Sequence, residues 1–413
     1  MISFQPTEDQ KLMVESVAQF ARTALRPKIR DFERARELPE SVRRTAHELG
    51  LALVALPESV SGAGLGLTTA VLLEEEIAWG DPAAPFALGG PGAFGLAVVE
   101  LGTEEQARSA LAPFLGADAH SRFGAVAWGE KKPHPERAGF STRATRHDDG
   151  WRLDGAKAYV LNADRAEHFV VFAQVEETPQ DASAGWRGIG AFLVDRSAAG
   201  LTVTARATTL GLDAASFGGI ELAGVVVPAS ARLAGGADFT AALVRFFTKN
   251  ALLVAARGVG LSRAAFELTR EYVDGRKAFG KPIGHFQAVA FTVADRAMDV
   301  DASRGLVWRA AAAWDALTKG EGSEKGALLL SAQAIAFTHE AAMRCGDDGV
   351  QLHGGAGFMR DYPVEKLMRD AKQLGLCGMT AEQADQLAAA ITLGVPLDPG
   401  LVLPTPESQN AFV

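Results

Sequence analysis

The sequence predicts an α+β protein in which a helical region, a β-rich region and a helical bundle follow one another. Apolar residues first recur at spacings of three and four, then form short β-branched runs between turn residues, and finally return to a helical period in long alanine-rich segments. The expected boundaries are 1–122 for the N-terminal all-α domain, 123–235 for the central β domain and 236–394 for the C-terminal bundle, followed by a proline-rich extended tail at 395–413.

The N-terminal region opens with a capping box, because Thr7 is followed three residues later by Gln10. One face of the helix predicted from Thr7 is formed by Met13, Val17, Phe20, Ala21 and Ala24. Two further helices are expected, at about Pro39–Gly50 and at Leu67–Trp79.

The central region is expected to form a sheet or a small barrel. Its predicted strands are Trp151–Val160, His168–Val175, Gly188–Asp195, Leu201–Thr209 and Ile220–Pro228. Lys132–Arg137 and Glu176–Gly185 are predicted loops. The bundle helices are expected at Asp238–Arg276, Gln287–Lys319, Lys325–Gly346 and Pro363–Leu374.

The composition of the chain makes several classes of partner and site unexpected. The net charge of −9 argues against nucleic acid as the main partner. Two cysteines cannot build a disulfide framework, and eight histidines without ligand spacing make a metal site unexpected. The N-terminus shows no signal-peptide pattern, and the longest uncharged run of the N-terminal third, Pro82–Val99, fits no membrane helix. We therefore expect a cytoplasmic protein.

A glycine-rich segment, Gly90-Pro91-Gly92-Ala93-Phe94-Gly95, matches the form GxGxxG. The dinucleotide-binding fingerprint requires a strand before the motif and a helix at its third glycine. Here the flanks are helical and a proline lies inside, so a loop between helices is the preferred interpretation.

Two C-terminal segments carry the chemistry. GRKAFGKPIGHFQ, from Gly275 to Gln287, offers a guanidinium that can bind a pyrophosphate and an aromatic face that can stack on adenine. VQLHGGAGFMRDYPVEKLMRDAK, from Val350 to Lys372, offers consecutive glycines that let a ligand approach the backbone. A helix end followed by a turn is the simpler interpretation of both.

The second segment closely follows Q-x-x-G-G-x-G-x-x-x-[DE]-Y-P-V-E-[KR]-L-x-R-D-A-K, and the chain resembles the acyl-CoA dehydrogenase family from its TEDQ start to about Gly394. The resemblance implies an FAD-binding oligomer, typically a homotetramer, that acts on an acyl-CoA thioester and passes electrons to an electron-transfer flavoprotein. A dimer, or a heteromer with a related subunit, is also compatible with it.

Carried over by motif, the resemblance assigns Arg276 to the FAD pyrophosphate and Phe279 to the adenine end, with Gln287 nearby. Gln351, Gly354 and Gly355 would reach the FAD of a neighbouring subunit, and Thr380 would contact the flavin. Backbone contacts from Trp128 and Gly129 and packing by Tyr159 are expected at the flavin ring.

The resemblance fails where the reaction needs a base. Removal of a Cα proton requires a positioned base and a donor that stabilises the thioester oxygen. The family's usual glutamate falls on Gly378, and the alternative position on the first long bundle helix falls on Asn250. Neither side chain can accept the proton, although the Gly378 N–H can still polarise the thioester. The catalytic base is therefore unknown at this stage.

The sequence also differs from the family pattern at other positions expected to lie near the flavin or the substrate. Gly129 replaces a threonine, Pro135 a serine and Leu161 a second threonine of the family, so two side-chain hydrogen bonds to flavin or substrate are lost. Glu382, Glu130 and Cys377 are weak candidates for the base. Arg257 replaces a small residue and is expected to pair with a local carboxylate, or else to meet an anionic substrate group.

Three functions remain open. The chain is an acyl-CoA dehydrogenase whose base is displaced or supplied by a partner, a flavin monooxygenase on the same fold, or a non-catalytic subunit that kept the assembly surface. The bound cofactor is expected to be FAD in the first two.

Overall fold

The computed structural model describes residues 5–130, 140–176, 188–236, 238–397 and 402–403. It confirms the predicted α+β architecture, with helices before and after a central sheet. Within the described residues, seven α-helices precede the first strand: α1 Glu8–Phe20, α2 Ile29–Ala35, α3 Glu40–Glu48, α4 Gly66–Gly80, α5 Ala84–Ala87, α6 Gly92–Leu101 and α7 Glu104–Leu111. The capping box is present, since the Thr7 hydroxyl accepts from the Gln10 N–H.

The described strands of the central region form one seven-stranded sheet. They are β1 Gly124–Ala127, β2 Arg143–His147, β3 Gly150–Leu161, β4 His168–Glu176, β5 Ile189–Asp195, β6 Leu201–Val203 and β7 Phe217–Pro228. β4 pairs in parallel with β1 and β2 along one edge and antiparallel with β5 along the other, and β3 pairs antiparallel with β2 and β7.

The C-terminal region begins with a 37-residue helix, α8, at Phe239–Gly275. A short hairpin follows (β8 Lys277–Ala278, β9 Lys281–Pro282), then α9 Gln287–Thr318, α10 Glu324–Leu352, α11 Val364–Leu374 and α12 Ala381–Leu393. α8 is apolar and long enough to span a membrane, but 67% of its most apolar window is buried inside the protein, as is typical of a core helix.

Several predicted elements need correction. β1 and β2 are absent from the prediction, and the strand predicted at Leu201–Thr209 ends at Val203. α6 already begins at Gly92, inside the segment interpreted as a loop. Pro135 and the predicted loops lie outside the described residues, except for Glu176 at the end of β4. In the tail, Val402 and Leu403 are buried, and the Leu403 carbonyl accepts from Gln383 Nε2 at 2.7 Å.

Helix α11 holds the three regions together. The ammonium of Lys366 is buried and donates to Asp81 at 3.0 Å and to Asp370 at 2.6 Å. Asp370 also accepts from the Leu212 N–H at 2.6 Å. Burial alone would lower the pKa of Lys366, but the two carboxylates raise it above its ordinary value, so the ammonium stays charged. The most family-like stretch of sequence is therefore a structural junction.

Candidate active site

A cavity of about 820 Å³ opens beside the C-terminal end of α8. Its lining includes Arg276 from the end of α8 and Gly354 and Gly355 from the segment after α10. A β-carbon on either glycine would meet no atom within 4 Å, so the backbone is open to a ligand. The Arg276 side chain is exposed and has no ion-pair partner among the described residues. The cavity thus offers a free cation next to accessible backbone.

Three other residues predicted to bind FAD surround this region without lining the cavity. Phe279 is 95% exposed at the tip of the β8–β9 hairpin, with a φ of 48°. Gln287 begins α9, Gln351 lies in the last turn of α10, and both are exposed. Arg276 and the two glycines line one cavity of one chain.

The flavin-side residues lie far from this cavity. Trp128 and Phe247 of α8 pack edge-on with ring centres 4.6 Å apart, so the end of β1 meets α8 near Asn250. Asn250 and Tyr272, which lines the cavity, are 22 residues apart on α8, or about 33 Å at 1.5 Å per residue. The cavity and the contact of β1 with α8 therefore lie near opposite ends of this stretch of the helix.

At the sheet, Tyr159 presents an open aromatic surface, since it is 69% exposed with a φ of 56°. Gly129 lies flat against β3, and a β-carbon there would come within 3.0 Å of the Ala158 carbonyl oxygen. The Trp128 ring is buried among Phe140, Phe172 and Phe247, so this side chain is part of the core.

Glu130, a weak candidate for the base, is held in place by buried partners. Its carboxylate accepts from the buried ammonium of Lys157 at 2.9 Å and from the Thr142 N–H at 3.0 Å. The ammonium also donates to the Trp128 carbonyl at 3.0 Å. Burial lowers the pKa of Lys157 to about 8, although Glu130 opposes the shift. A carboxylate held by these contacts cannot move to a substrate.

The two positions where the family carries its base face each other. A β-carbon built on Gly378 would lie 3.4 Å from Asn250 Nδ2 and 3.5 Å from the Cα of Ala251. Neither the backbone N–H of Gly378 nor the side-chain amide of Asn250 forms a hydrogen bond within the described part of the chain. Both base positions thus converge on one point, and an unpaired N–H donor remains there.

The remaining candidates for the base are unsuited to the role. Burial raises the pKa of the Cys377 thiol to about 12, although the nearby charge of Arg257 opposes the shift, so the thiol is neutral. Glu382 is exposed in the first turn of α12. Thr380 caps that helix by accepting from the Gln383 N–H. The Glu382 carboxylate accepts from its own backbone N–H and from the Thr380 hydroxyl, which lowers the pKa of Glu382.

Arg257 forms the predicted ion pair with a local carboxylate. Its Nε and Nη2 donate to the two oxygens of Glu74 at 2.8 and 3.0 Å. The guanidinium carbon lies 4.3 Å from the centre of the Phe86 ring. The Phe86 carbonyl accepts from Asn162 Nδ2 at 2.9 Å, so the pair lies between α4, α8 and the end of β3.

A buried histidine was missed in the sequence. His339 on α10 is 6% exposed, and neither ring nitrogen has a hydrogen-bond partner among the described residues. A β-carbon on Gly375, at the start of the turn that carries Gly378, would lie 3.9 Å from His339 Nδ1. Its position in an alanine-rich helix carries no signal that distinguishes it from a surface histidine.

This histidine makes folding sensitive to acid. Burial lowers the pKa of His339 to about 4, so the folded protein binds fewer protons than the unfolded chain below pH 6.5. Stability is complete above that pH and is lost as the pH falls toward 4. Between pH 7 and pH 5 the residue should remove about 2 kcal/mol of unfolding free energy. Urea unfolding of His339→Leu should lack this loss, whereas the exposed control His285→Leu should retain it.

Comparison with known proteins agrees with this architecture. The profiles named "Acyl-CoA dehydrogenase, N-terminal domain", "middle domain" and "C-terminal domain" match residues 7–118, 125–225 and 239–391. The "Short-chain specific acyl-CoA dehydrogenase, mitochondrial" of Bos taurus is 30% identical over 90% of this chain and 86% of its own length. The chain belongs to the acyl-CoA dehydrogenase family.

Two other members of the acyl-CoA dehydrogenase family illustrate the extent of the similarity. "Probable acyl-CoA dehydrogenase YngJ" of Bacillus subtilis (strain 168) is 29% identical, and the match covers 92% of this chain and 97% of that protein. The structure of the butyryl-CoA dehydrogenase of Megasphaera elsdenii superimposes with a TM-score of 0.84 at 26% identity, over 95% of this chain and all of that one.

FAD is the cofactor of this acyl-CoA dehydrogenase family, and the chain retains features that fit it. The cavity offers an unpaired guanidinium and open glycine backbone to a pyrophosphate. Tyr159 and Phe279 offer exposed aromatic faces to flat rings. At Gly129 and Leu161, where the resemblance implies threonines, the chain has no side-chain hydroxyl.

Proposed function

We propose that the chain is a subunit of an FAD-dependent acyl-CoA dehydrogenase in which a second chain supplies the base. The observation that carries the proposal is that Gly378 and Asn250 lie next to each other, and that the Gly378 N–H is unpaired within the described residues. The chain keeps a group that can stabilise the thioester oxygen but lacks a carboxylate at either base position.

The dimensions of α8 support a site shared between chains. Because about 33 Å separate Asn250 from the cavity wall at Tyr272, the cavity would bind the nucleotide end of an FAD whose ring lies at a neighbouring chain. A homotetramer or dimer would repeat the same incomplete site, so a heteromer with a related subunit that carries the glutamate is the assembly we favour.

In this assembly the substrate is an acyl-CoA thioester, and the reaction is α,β-desaturation. Bound FAD would supply the acceptor for the hydride of Cβ, and an electron-transfer flavoprotein would receive the electrons. The residues of this chain would bind and orient the cofactor and the substrate. Arg276 would pair with a phosphate of FAD, Tyr159 would pack against the flavin ring and the Gly378 N–H would donate to the thioester oxygen.

An absorption spectrum of the purified protein, followed by anaerobic addition of acyl-CoAs, tests the proposal. We expect a flavin band that acyl-CoA perturbs but does not bleach in the isolated chain. Bleaching by the chain alone would contradict the partner-supplied base. No flavin band, even after FAD is added, would favour the non-catalytic subunit.

Arg276→Ala tests the nucleotide end of the site. Loss of a charge-assisted phosphate contact is worth about 1.5–3 kcal/mol, so FAD should bind about 10- to 100-fold more weakly. Titration with FAD, followed by flavin fluorescence, measures the change. Arg22→Ala, at an exposed arginine that does not line the cavity, should leave the affinity unchanged. Equal FAD affinities in the two variants would show that Arg276 does not contact FAD.

A further inference from the structure

The cavity beside the end of α8 is lined by charges of both signs. Glu271 lines it together with Arg276, and about 6 Å of helix axis separate Glu271 from Gly275, the last residue of α8. Both side chains are exposed, and neither forms an ion pair or a side-chain hydrogen bond within the described residues. Each is therefore free to contact a different part of one ligand.

Positive charge is scarce in this cavity. Arg276 is the one cation among the described residues that line it, and Lys277, the next residue, is exposed outside the lining. Burial lowers the pKa of His353, although its contact with the Gly349 carbonyl opposes the shift, so this lining ring is neutral at pH 7. α8 and α10 both end at the cavity, and the C-terminus of a helix carries a partial negative charge. A pyrophosphate finds one arginine here, and a further phosphate finds no second cation.

The proposed function brings two ligands with an adenosine diphosphate end to this protein. In FAD the ribose of that end carries two free hydroxyls, whereas in coenzyme A the same ribose carries a 3′-phosphate. A carboxylate accepts hydrogen bonds from a ribose hydroxyl and repels a ribose phosphate, as in folds that bind NAD and reject NADP. A carboxylate near a pyrophosphate site can therefore separate the two ligands.

We propose that Glu271 accepts the ribose hydroxyls of the FAD adenosine and excludes the phosphorylated ribose of coenzyme A from this cavity. The inference rests on the proposed function, which places the nucleotide end of an FAD here. With the pyrophosphate at Arg276, the ribose is the next group of the ligand, and Glu271 lies little more than one helical turn before the end of α8. The cavity volume of about 820 Å³ lies within the range of pockets that bind drug-sized ligands, so charge rather than size excludes the phosphate.

Competition by ADP and by 3′-phospho-ADP, the nucleotide portion of coenzyme A, tests this assignment, because the two differ by one phosphate. FAD is titrated into the full-length protein at fixed concentrations of each nucleotide, and flavin fluorescence measures the apparent dissociation constant. We expect 3′-phospho-ADP to compete about tenfold more weakly than ADP. The difference should shrink at high salt concentration, because salt screens repulsion between exposed charges but not a steric clash. This comparison needs no substitution, so it does not depend on whether a variant folds.

Glu271→Gln keeps the length of the side chain and one acceptor oxygen but removes the charge. It should reduce the preference for ADP from about tenfold to about twofold. Asp274→Asn is the matched control, since Asp274 is an exposed carboxylate of the same helix that does not line the cavity, and it should keep the preference. Equal competition by the two nucleotides in the wild-type protein, or a preference that Glu271→Gln retains, would overturn the role of Glu271 alone. If neither nucleotide competes with FAD, the placement of the nucleotide end in this cavity fails as well.

Discussion

Asn250→Glu should make the isolated chain abstract the Cα proton of an acyl-CoA. Asn250 Nδ2 is 3.4 Å from the point where a β-carbon on Gly378 would lie, so a carboxylate on α8 reaches the same place. A positioned general base contributes about 10²- to 10⁴-fold. The substitution is made on a regular helix, whereas a glutamate at Gly378 would also have to adopt a φ of 86°.

The measurement is exchange of the Cα hydrogens of butyryl-CoA with solvent deuterium, followed by mass spectrometry. This exchange reports proton removal without requiring transfer of the hydride. Asn250→Gln is the matched control, because it has the length of the glutamate without its charge. Equal exchange rates in the two variants would show that the site is unable to position the substrate, which would favour the non-catalytic interpretation.

Lys366→Met should destabilise the protein more than any other substitution considered, by about 3–5 kcal/mol. The ammonium is 1% exposed and neutralises two fully buried carboxylates, those of Asp81 and Asp370. Its removal leaves both without a cation. The thermal midpoint of unfolding should fall. The Leu210–Leu212 segment, whose backbone donates to Asp370, should also lose this contact.

Lys372→Met is the control for this prediction, since Lys372 is exposed on the same helix and the substitution is identical. Its thermal midpoint should stay close to that of the wild type. A triple variant that combines Lys366→Met with Asp81→Asn and Asp370→Asn should recover part of the loss, because fewer buried charges then lack a partner. If Lys366→Met and Lys372→Met unfold alike, the buried network contributes nothing to stability.

The order of helices and strands was predictable because apolar periodicity is a local property. α4, α8 and α9 begin and end within a few residues of the predicted positions, and α1 begins where it was predicted. β1 and β2 were missed because each is short, and β2, RATRH, has only one apolar residue; its pairing with β3 and β4 comes from distant parts of the chain.

The site was predictable in part. The assignments of Arg276, Gly354 and Gly355 depended on motif, and the structure brings these residues to one cavity. The meeting of Gly378 with Asn250, the partner of Arg257 and the burial of His339 all depend on contacts between α8, α10 and the turn before α12. Spacing along the sequence contains no information on such contacts.

The central position of α8 has a consequence for synthesis on the ribosome. The main core contains residues from Val17 to Leu403, and Asp81 meets its ammonium partner 285 residues later. At about 5–20 residues per second, translation from the start of α8 to the end of α11 takes about 7 to 27 s. During that interval the apolar face of α4 has left the ribosome before α8 and α9, which both pack against it, are complete. The nascent chain is thus a natural client for chaperones that hold exposed apolar surface.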